Sequence, residues 1–271
     1  MKIIAINNRV KRYVKCHGFL FIFIAMLSPL LSSAKGTLSD NIRITSKVLA
    51  YDLHYRVYTP EHLTEKDKLP TIYITDGHNY IKGGKMVKAL DKAIKKGEIK
   101  PVIAVFVDPR DPDNSKNNRR RQQFFCNEDY VNFFTTELLP SVDQNYPTSP
   151  LREDRVILGV SFGGFNSGCF GLMATSFFSG VAMNSPAHTK FVEFLESQYR
   201  RVDKKDLKIY MSVGNHYDNR AAVSSFKSLL LEKGYDLTYE QNHHGHNWKN
   251  WKPLLPDVLR TFFGVDKLNE Q

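Results

Sequence analysis

Cysteine is close to absent from this chain: Cys16, Cys126 and Cys169 are the three in 271 residues. Cysteines so few and so widely spaced exclude a cysteine-built metal ribbon and a fold stapled by many disulfides. One disulfide, Cys126 with Cys169, is permitted in an oxidising compartment. A buried free thiol at Cys169, inside an apolar helix, is the other reading. Long hydrophobic runs are missing too. The apolar stretch from Phe19 to Leu31 is short for a bilayer core of about 30 Å. No internal repeat is visible. Nor does the positive charge argue for nucleic-acid binding, although the net charge is +10. Lys2, Arg9, Lys11, Arg12 and Lys15 lie in residues 1–34, where nothing acidic offsets them. Residues 35–271 carry only about half of the excess, too little to call for a polyanionic partner.

The N-terminus itself reads as an export signal. Its cations precede Gly18 and the apolar stretch, and Ser32-Ser33-Ala34 offers small residues for cleavage near Ala34. An uncleaved anchor is the alternative, and membrane contact would then be confined to this segment. Cys16 precedes the apolar core and so does not read as a lipid-attachment site. Residues 35–271 are expected to form one domain with one substantial core, in a periplasmic or secreted protein.

The chain is organised around Val156-Ile157-Leu158-Gly159-Val160-Ser161-Phe162-Gly163-Gly164. A β-branched run passes through one serine between glycines into a helix, the G-x-S-x-G nucleophile elbow. Small residues are needed there because the backbone reverses beside a neighbouring strand and helix. Around it, apolar strands alternate with amphipathic helices. Strands are expected at 42–50, 53–58, 70–75, 103–107, 156–160, 180–184, 207–213 and 237–240, the first two as an edge hairpin. Helices are expected over Lys85–Lys96, from Asn127 or Asp129 to near Pro140, and after Ser161. Others follow through Phe191–Leu195, through Ala222–Leu230 up to Gly234, and along Leu254, Val258 and Phe262. Asp108 to Gln123, with the triplet Arg119-Arg120-Arg121, reads as a long surface loop at an active-site rim. This alternation predicts a mostly parallel central sheet flanked by helices on both faces. Asp76, Ser161, Asn184, Gly214 and Glu240 would then share one sheet edge.

A serine hydroxyl attacks well only when a base takes its proton. His246 is preferred, in the loop His243-His244-Gly245-His246-Asn247-Trp248 after the last strand. His216 is its nearest competitor. His243, His244 and His246 lack a well-placed carboxylate to complete a zinc site, so no metal is expected. Asp218, five residues beyond the strand ending at Val213, is the preferred acid; capping the next helix is its competing role. The order Ser161, Asp218, His246 is that of an α/β-hydrolase. The Phe162 amide supplies one oxyanion donor, and Gly77, within Thr75-Asp76-Gly77-His78, is preferred for the second.

With these residues in hand, the chain resembles the esterase family of α/β-hydrolases that includes esterase D, ferric-enterobactin esterases and the antigen 85 mycolyltransferases. The resemblance rests on YRVYTPEHL, LPTIYITDG, FFTTELLPSVDQNYPT, RVILGVSFGG, KIYMSVGNHYDN and YEQNHHGHNWKNW, which run in order over about residues 45–263. It implies an α/β-hydrolase fold, Ser161 as nucleophile and His246 as base. It also implies an acid near Asp218, oxyanion amides around Asp76-Gly77 and at Phe162, and no cofactor. Carboxylester hydrolysis of a small molecule follows, with a siderophore or a small acyl ester as substrate. Trp248 and Trp251 fit a GHxWxxW pattern of siderophore esterases. Asp76, His78, Arg120, Arg121 and Trp248 are the residues expected to meet substrate. No long lid separates Met183 from Leu207, which argues against a capped lipase. An acyltransferase is the rival on the same fold, and a noncatalytic exported binding protein is the rival outside enzymology.

Overall fold

The computed structural model describes residues 35–64 and 66–265; the segment read as an export signal lies outside them. Nine strands make one sheet: β1 (Thr37–Leu38), β2 (Ile42–Ser46), β3 (Tyr51–Thr59), β4 (Thr71–Ile74), β5 (Ile103–Asp108), β6 (Arg155–Val160), β7 (Gly180–Asn184), β8 (Lys208–Gly214) and β9 (Asp236–Asn242). The order is β1-β3-β5-β4-β6-β7-β8-β9, with β2 also on β3. From β5 to β9 all neighbours are parallel. β3 is antiparallel to β5 and holds β1 and β2 antiparallel. This is the α/β-hydrolase architecture.

Strand composition explains the layering. β5 reads Ile-Ala-Val-Phe-Val-Asp and is buried throughout, as a parallel strand covered on both faces must be. Its side chains alternate between faces. Ile103, Val105 and Val107 join Tyr73, Ile157, Val181 and Met211 in one core. Ala104 and Phe106 join Ile72, Ile74, Leu158 and Tyr210 in the other. Residues of Phe162–Met173, Thr189–Arg201, Arg220–Glu232 and the helical run 128–145 fill the first core. Met86–Lys95 and Trp248–Phe263 supply the second. Cys126 and Cys169 form a disulfide with Cα atoms 5.0 Å apart, tying the segment before residue 128 to the helix after Ser161.

Three local expectations change. The helix capped by Asn127, whose side chain accepts from the Tyr130 amide, does not stop at Pro140 but runs on to Asn145. A π-type turn, Phe134–Leu138, resets the register so that Pro140 falls in the first turn of the next segment. There its missing N–H leaves no bond unmade. The 108–123 segment is not all loop. A bridge between Arg110 and Asn118 folds it, and Arg120–Phe124 is helical, held by tertiary contacts at Arg120 and a fully buried Phe124. Finally, β9 continues two residues past Glu240 because Gly214 pairs with Asn242. Glu240 is therefore inside the strand and not at the edge that carries Ser161.

Candidate active site

The turn after β6 explains the glycines around Ser161. A Cβ at Gly159 would lie 2.0 Å from the Gly163 carbonyl oxygen, and one at Gly163 would lie 2.9 Å from Thr75 Oγ1. Ser161 itself has φ 56° and ψ −124°, a conformation costing of order 1–3 kcal/mol in a non-glycine residue. Backbone bonds hold it there: its N–H donates to the Asn184 carbonyl at 2.9 Å, and its carbonyl accepts from Phe165 and Ala187. The hydroxyl is thereby lifted above the sheet edge.

His246 reaches it from the loop between β9 and Trp248–Phe263. Nε2 is 2.7 Å from Ser161 Oγ, and Nδ1 is 2.9 Å from Asp218 Oδ1. With Nδ1–H donating to the carboxylate, Nε2 is the acceptor facing the hydroxyl. The loop approaches closely because Gly214 has no Cβ; one there would sit 1.8 Å from the His244 carbonyl oxygen. His216, by contrast, is exposed and bonded to Asn215.

Asp218 is fully buried at its side chain and heavily bonded. Oδ1 also accepts from the Asn219 amide at 2.9 Å. Oδ2 accepts from Ser185 Oγ at 2.6 Å, the Gly214 amide at 2.8 Å and Asn250 Nδ2 at 3.2 Å. Burial opposes its charge, but the bonds from His246, Ser185, Gly214 and Asn219 outweigh that and hold the carboxyl below its ordinary range. Trp251 Nε1–H donates to Ser185 Oγ at 2.8 Å, and the Trp251 ring stands edge-on to His246 at 5.0 Å. Ser185 and Asn250 are the members of this constellation that sequence reasoning missed. The W-x-x-W spacing names Trp251 together with Trp248, but only Trp248 is expected from it to meet substrate.

Gly77 and Phe162 begin helical segments at the ends of the adjacent strands β4 and β6. First-turn amides have no intrahelical acceptor and are open to a guest. Gly77 fits against Phe106, where a Cβ would lie 2.5 Å from backbone.

A cavity of about 340 Å³ adjoins Ser161 and His246, with walls from Arg120, Arg121, Phe162, Ala187, His188 and Phe191. Phe162 and Phe191 approach to 5.2 Å between ring centroids. Of the residues expected to meet substrate, Arg120 and Arg121 line this cavity. The other three expected contacts do not. Asp76 is buried, accepting from Arg120 Nε at 2.9 Å, because its left-handed backbone (φ 56°) turns it under the rim. Burial pushes its carboxyl up to about 6, with Arg120 pulling the other way. His78 lines a separate cavity with Arg56 and Lys82. Trp248 packs against Tyr80, 5.2 Å away, and over Gly83 and Gly84, whose lack of side chains makes room for it. Among the described residues, no three His, Cys, Asp or Glu side chains are grouped to hold a metal ion.

A hydroxyl, an imidazole and a buried carboxylate in series can generate a nucleophile by proton transfer. Family comparison agrees with that chemistry: the family described as "Putative esterase" matches residues 46–262. The chain belongs to this esterase family. A relative in Bacillus subtilis (strain 168), the uncharacterized protein YjcH, is 26% identical over 239 residues, 85% of this esterase and 99% of YjcH. Among solved structures, a ferulic acid esterase superposes with a TM-score of 0.68 at 20% identity, covering 84% of this chain and 100% of that one. The enterobactin esterase of Shigella flexneri superposes with a TM-score of 0.73 at 21% identity, over 82% of this chain and 58% of its own. A fluorophosphonate-binding serine hydrolase of Staphylococcus aureus gives 0.65 at 14% identity, over 83% and 97%. These structural likenesses speak for the fold.

Proposed function

We propose that this esterase hydrolyses a small carboxylic ester through an acyl-enzyme on Ser161. The reading rests on the 2.7 Å contact of His246 Nε2 with Ser161 Oγ, backed by the 2.9 Å contact of Nδ1 with Asp218. His246 takes the hydroxyl proton as Oγ attacks the ester carbonyl, and Asp218 stabilises the imidazolium without taking its proton. The amides of Phe162 and Gly77 receive the oxyanion. His246 then gives the proton to the departing alcohol. Water, which reaches a histidine side chain 32% exposed, releases the acid by the same steps in reverse roles. Phe162 and Phe191 favour a short or aromatic acyl group over a long chain, and the free face of Arg121 favours an anionic substituent. Esters of aromatic acids, the chemistry for which one structural neighbour, a ferulic acid esterase, is named, are the first substrates to try.

Ser161→Ala should remove fluorophosphonate labelling and lower p-nitrophenyl acetate turnover by about three orders of magnitude or more, with the thermal midpoint little changed. Unchanged turnover would defeat the assignment. Export is proposed on the N-terminal pattern and on the Cys126–Cys169 bond, since disulfides persist in oxidising compartments. Edman sequencing of protein from the periplasm or medium should begin near Lys35; a start at Met1 would show that the segment is retained.

A further inference from the structure

A second cavity, of about 210 Å³, opens beside the turn after β4 and is lined by His54, Arg56, His78, Lys82, Asp108 and Arg110, among others. Strand pairing assembles it. His54 and Arg56 are two apart on β3 and so share a face, with Asp108 directly across from His54 on β5. The helical turn carrying His78 and Lys82 closes over them.

Charge in this cavity is one-sided. Arg56, Lys82 and Arg110 are permanent cations, whereas Asp108 is the single carboxylate in the wall. Arg110 already engages both Asp108 oxygens, and His54 Nε2 lies 3.3 Å from Oδ2. Arg56 spends only Nε, on the Ser39 carbonyl. Its remaining N–H groups and the Lys82 ammonium have no acceptor among the described residues. His54 Nδ1 is buried without a partner. Arg56 is half-buried and Lys82 exposed, and both line the cavity, so their uncommitted N–H groups are open to an incoming acceptor group. Burial, and after it the neighbouring Arg110 and Lys82 charges, press the His78 ring toward its neutral form. The volume equals roughly seven waters at about 30 Å³ each, enough for a phosphate or a small carboxylate.

We propose that this cavity binds an oxyanion group, phosphate or carboxylate, through Arg56 and Lys82. Its relation to the active site runs through Asp76 and Arg120. A smaller cavity shares His78, Asp108 and Arg110 with it and takes in Asp76, whose carboxylate holds Arg120 at the rim beside Ser161. The anion is therefore either a charged arm of the ester substrate or a free phosphate.

The test titrates inorganic phosphate into Ser161→Ala protein by calorimetry, so that its outcome does not depend on the ester reading. Saturable binding is expected, weakened about tenfold by Lys82→Glu. Lys82 is exposed, so that variant should fold. Arg56→Gln is the second variant and should weaken binding similarly. Catalytically intact protein is then assayed with p-nitrophenyl acetate and with the p-nitrophenyl monoester of succinic acid. If Lys82→Glu raises the KM of the charged ester relative to the neutral one, the anion is the substrate's own arm. If that ratio holds while phosphate binding weakens, the site takes a free anion. Phosphate that fails to saturate, or binds both variants as tightly as the parent Ser161→Ala protein, overturns the proposal.

Discussion

At the residue scale, most of the polar bonding around the site converges on one carboxylate. Asp218 accepts five hydrogen bonds, two at Oδ1 and three at Oδ2. Ser185 is the pivot of this set, because its Oγ donates to Asp218 while accepting from Trp251. Ser185→Ala would cost Asp218 a donor and leave the buried indole N–H unpaired, a loss of about 1.5–3 kcal/mol. Trp251→Phe removes only the indole donor. We expect kcat to fall about tenfold to a hundredfold for Ser185→Ala and several-fold for Trp251→Phe. KM should move less than about twofold, since neither residue lines the cavity beside Ser161. Steady-state kinetics on a p-nitrophenyl ester would show this split; a rise in KM at constant kcat would instead place these side chains in substrate binding.

The helix Phe162–Met173 is held at both ends of its function. Its first turn carries Ser161 and the Phe162 amide, and farther along, Cys169 joins it to Cys126. The bond closes a loop of 43 residues in sequence separation, worth about 4 kcal/mol of unfolded-state entropy in the chain-entropy picture. Cys126→Ala/Cys169→Ala protein should therefore unfold at a markedly lower urea midpoint than oxidised wild type. Reductant should lower the wild-type midpoint and leave that of the double variant where it is. The segment before this helix in space, Arg120–Phe124, is equally dependent on contacts. Arg120 bonds Asp76 and the Val160 carbonyl, so one side chain pins the rim helix to the strand end that precedes Ser161.

For the whole molecule, the pH dependence of stability separates into two windows. Asp76 has a folded-state carboxyl pushed up to about 6, against an ordinary 3.8. The folded form holds that proton more tightly than the unfolded chain, so the Asp76 contribution to stability is greatest below about pH 4 and declines as pH rises toward 6. Two pKa units correspond to about 3 kcal/mol. Asp218 and Asp108 are held below 3.8; their contribution is present above that value and is lost only as pH falls further. Urea titrations from pH 4 to 6.5 should thus show wild type losing stability relative to Asp76→Asn as pH rises. Parallel curves would remove Asp76 from this role. The carboxylate that costs stability at neutral pH is the one that anchors Arg120, a common trade at functional rims.

Much of this protein was readable from its linear chain because the signals are local. Alternating β-branched strands and amphipathic helices determine the layered sheet, since each must bury one or both faces. Gly159, Gly163 and the serine between them mark the turn because only residues without Cβ fit it. The order Ser161, Asp218, His246 made their meeting an expectation, and the structure brings them within hydrogen-bond distance. Tertiary structure alone decided the rest. Whether Asp76, His78 and Trp248 face the cavity or lie beneath and beside it depends on backbone direction at the turn after β4 and on how Trp248–Phe263 docks. Ser185, Asn250 and Trp251 gather at Asp218 from distant strands and helices, and the pairing of Cys126 with Cys169 depends on a similar approach. No sequence period records such contacts, because they are set by packing between elements and not by spacing within one.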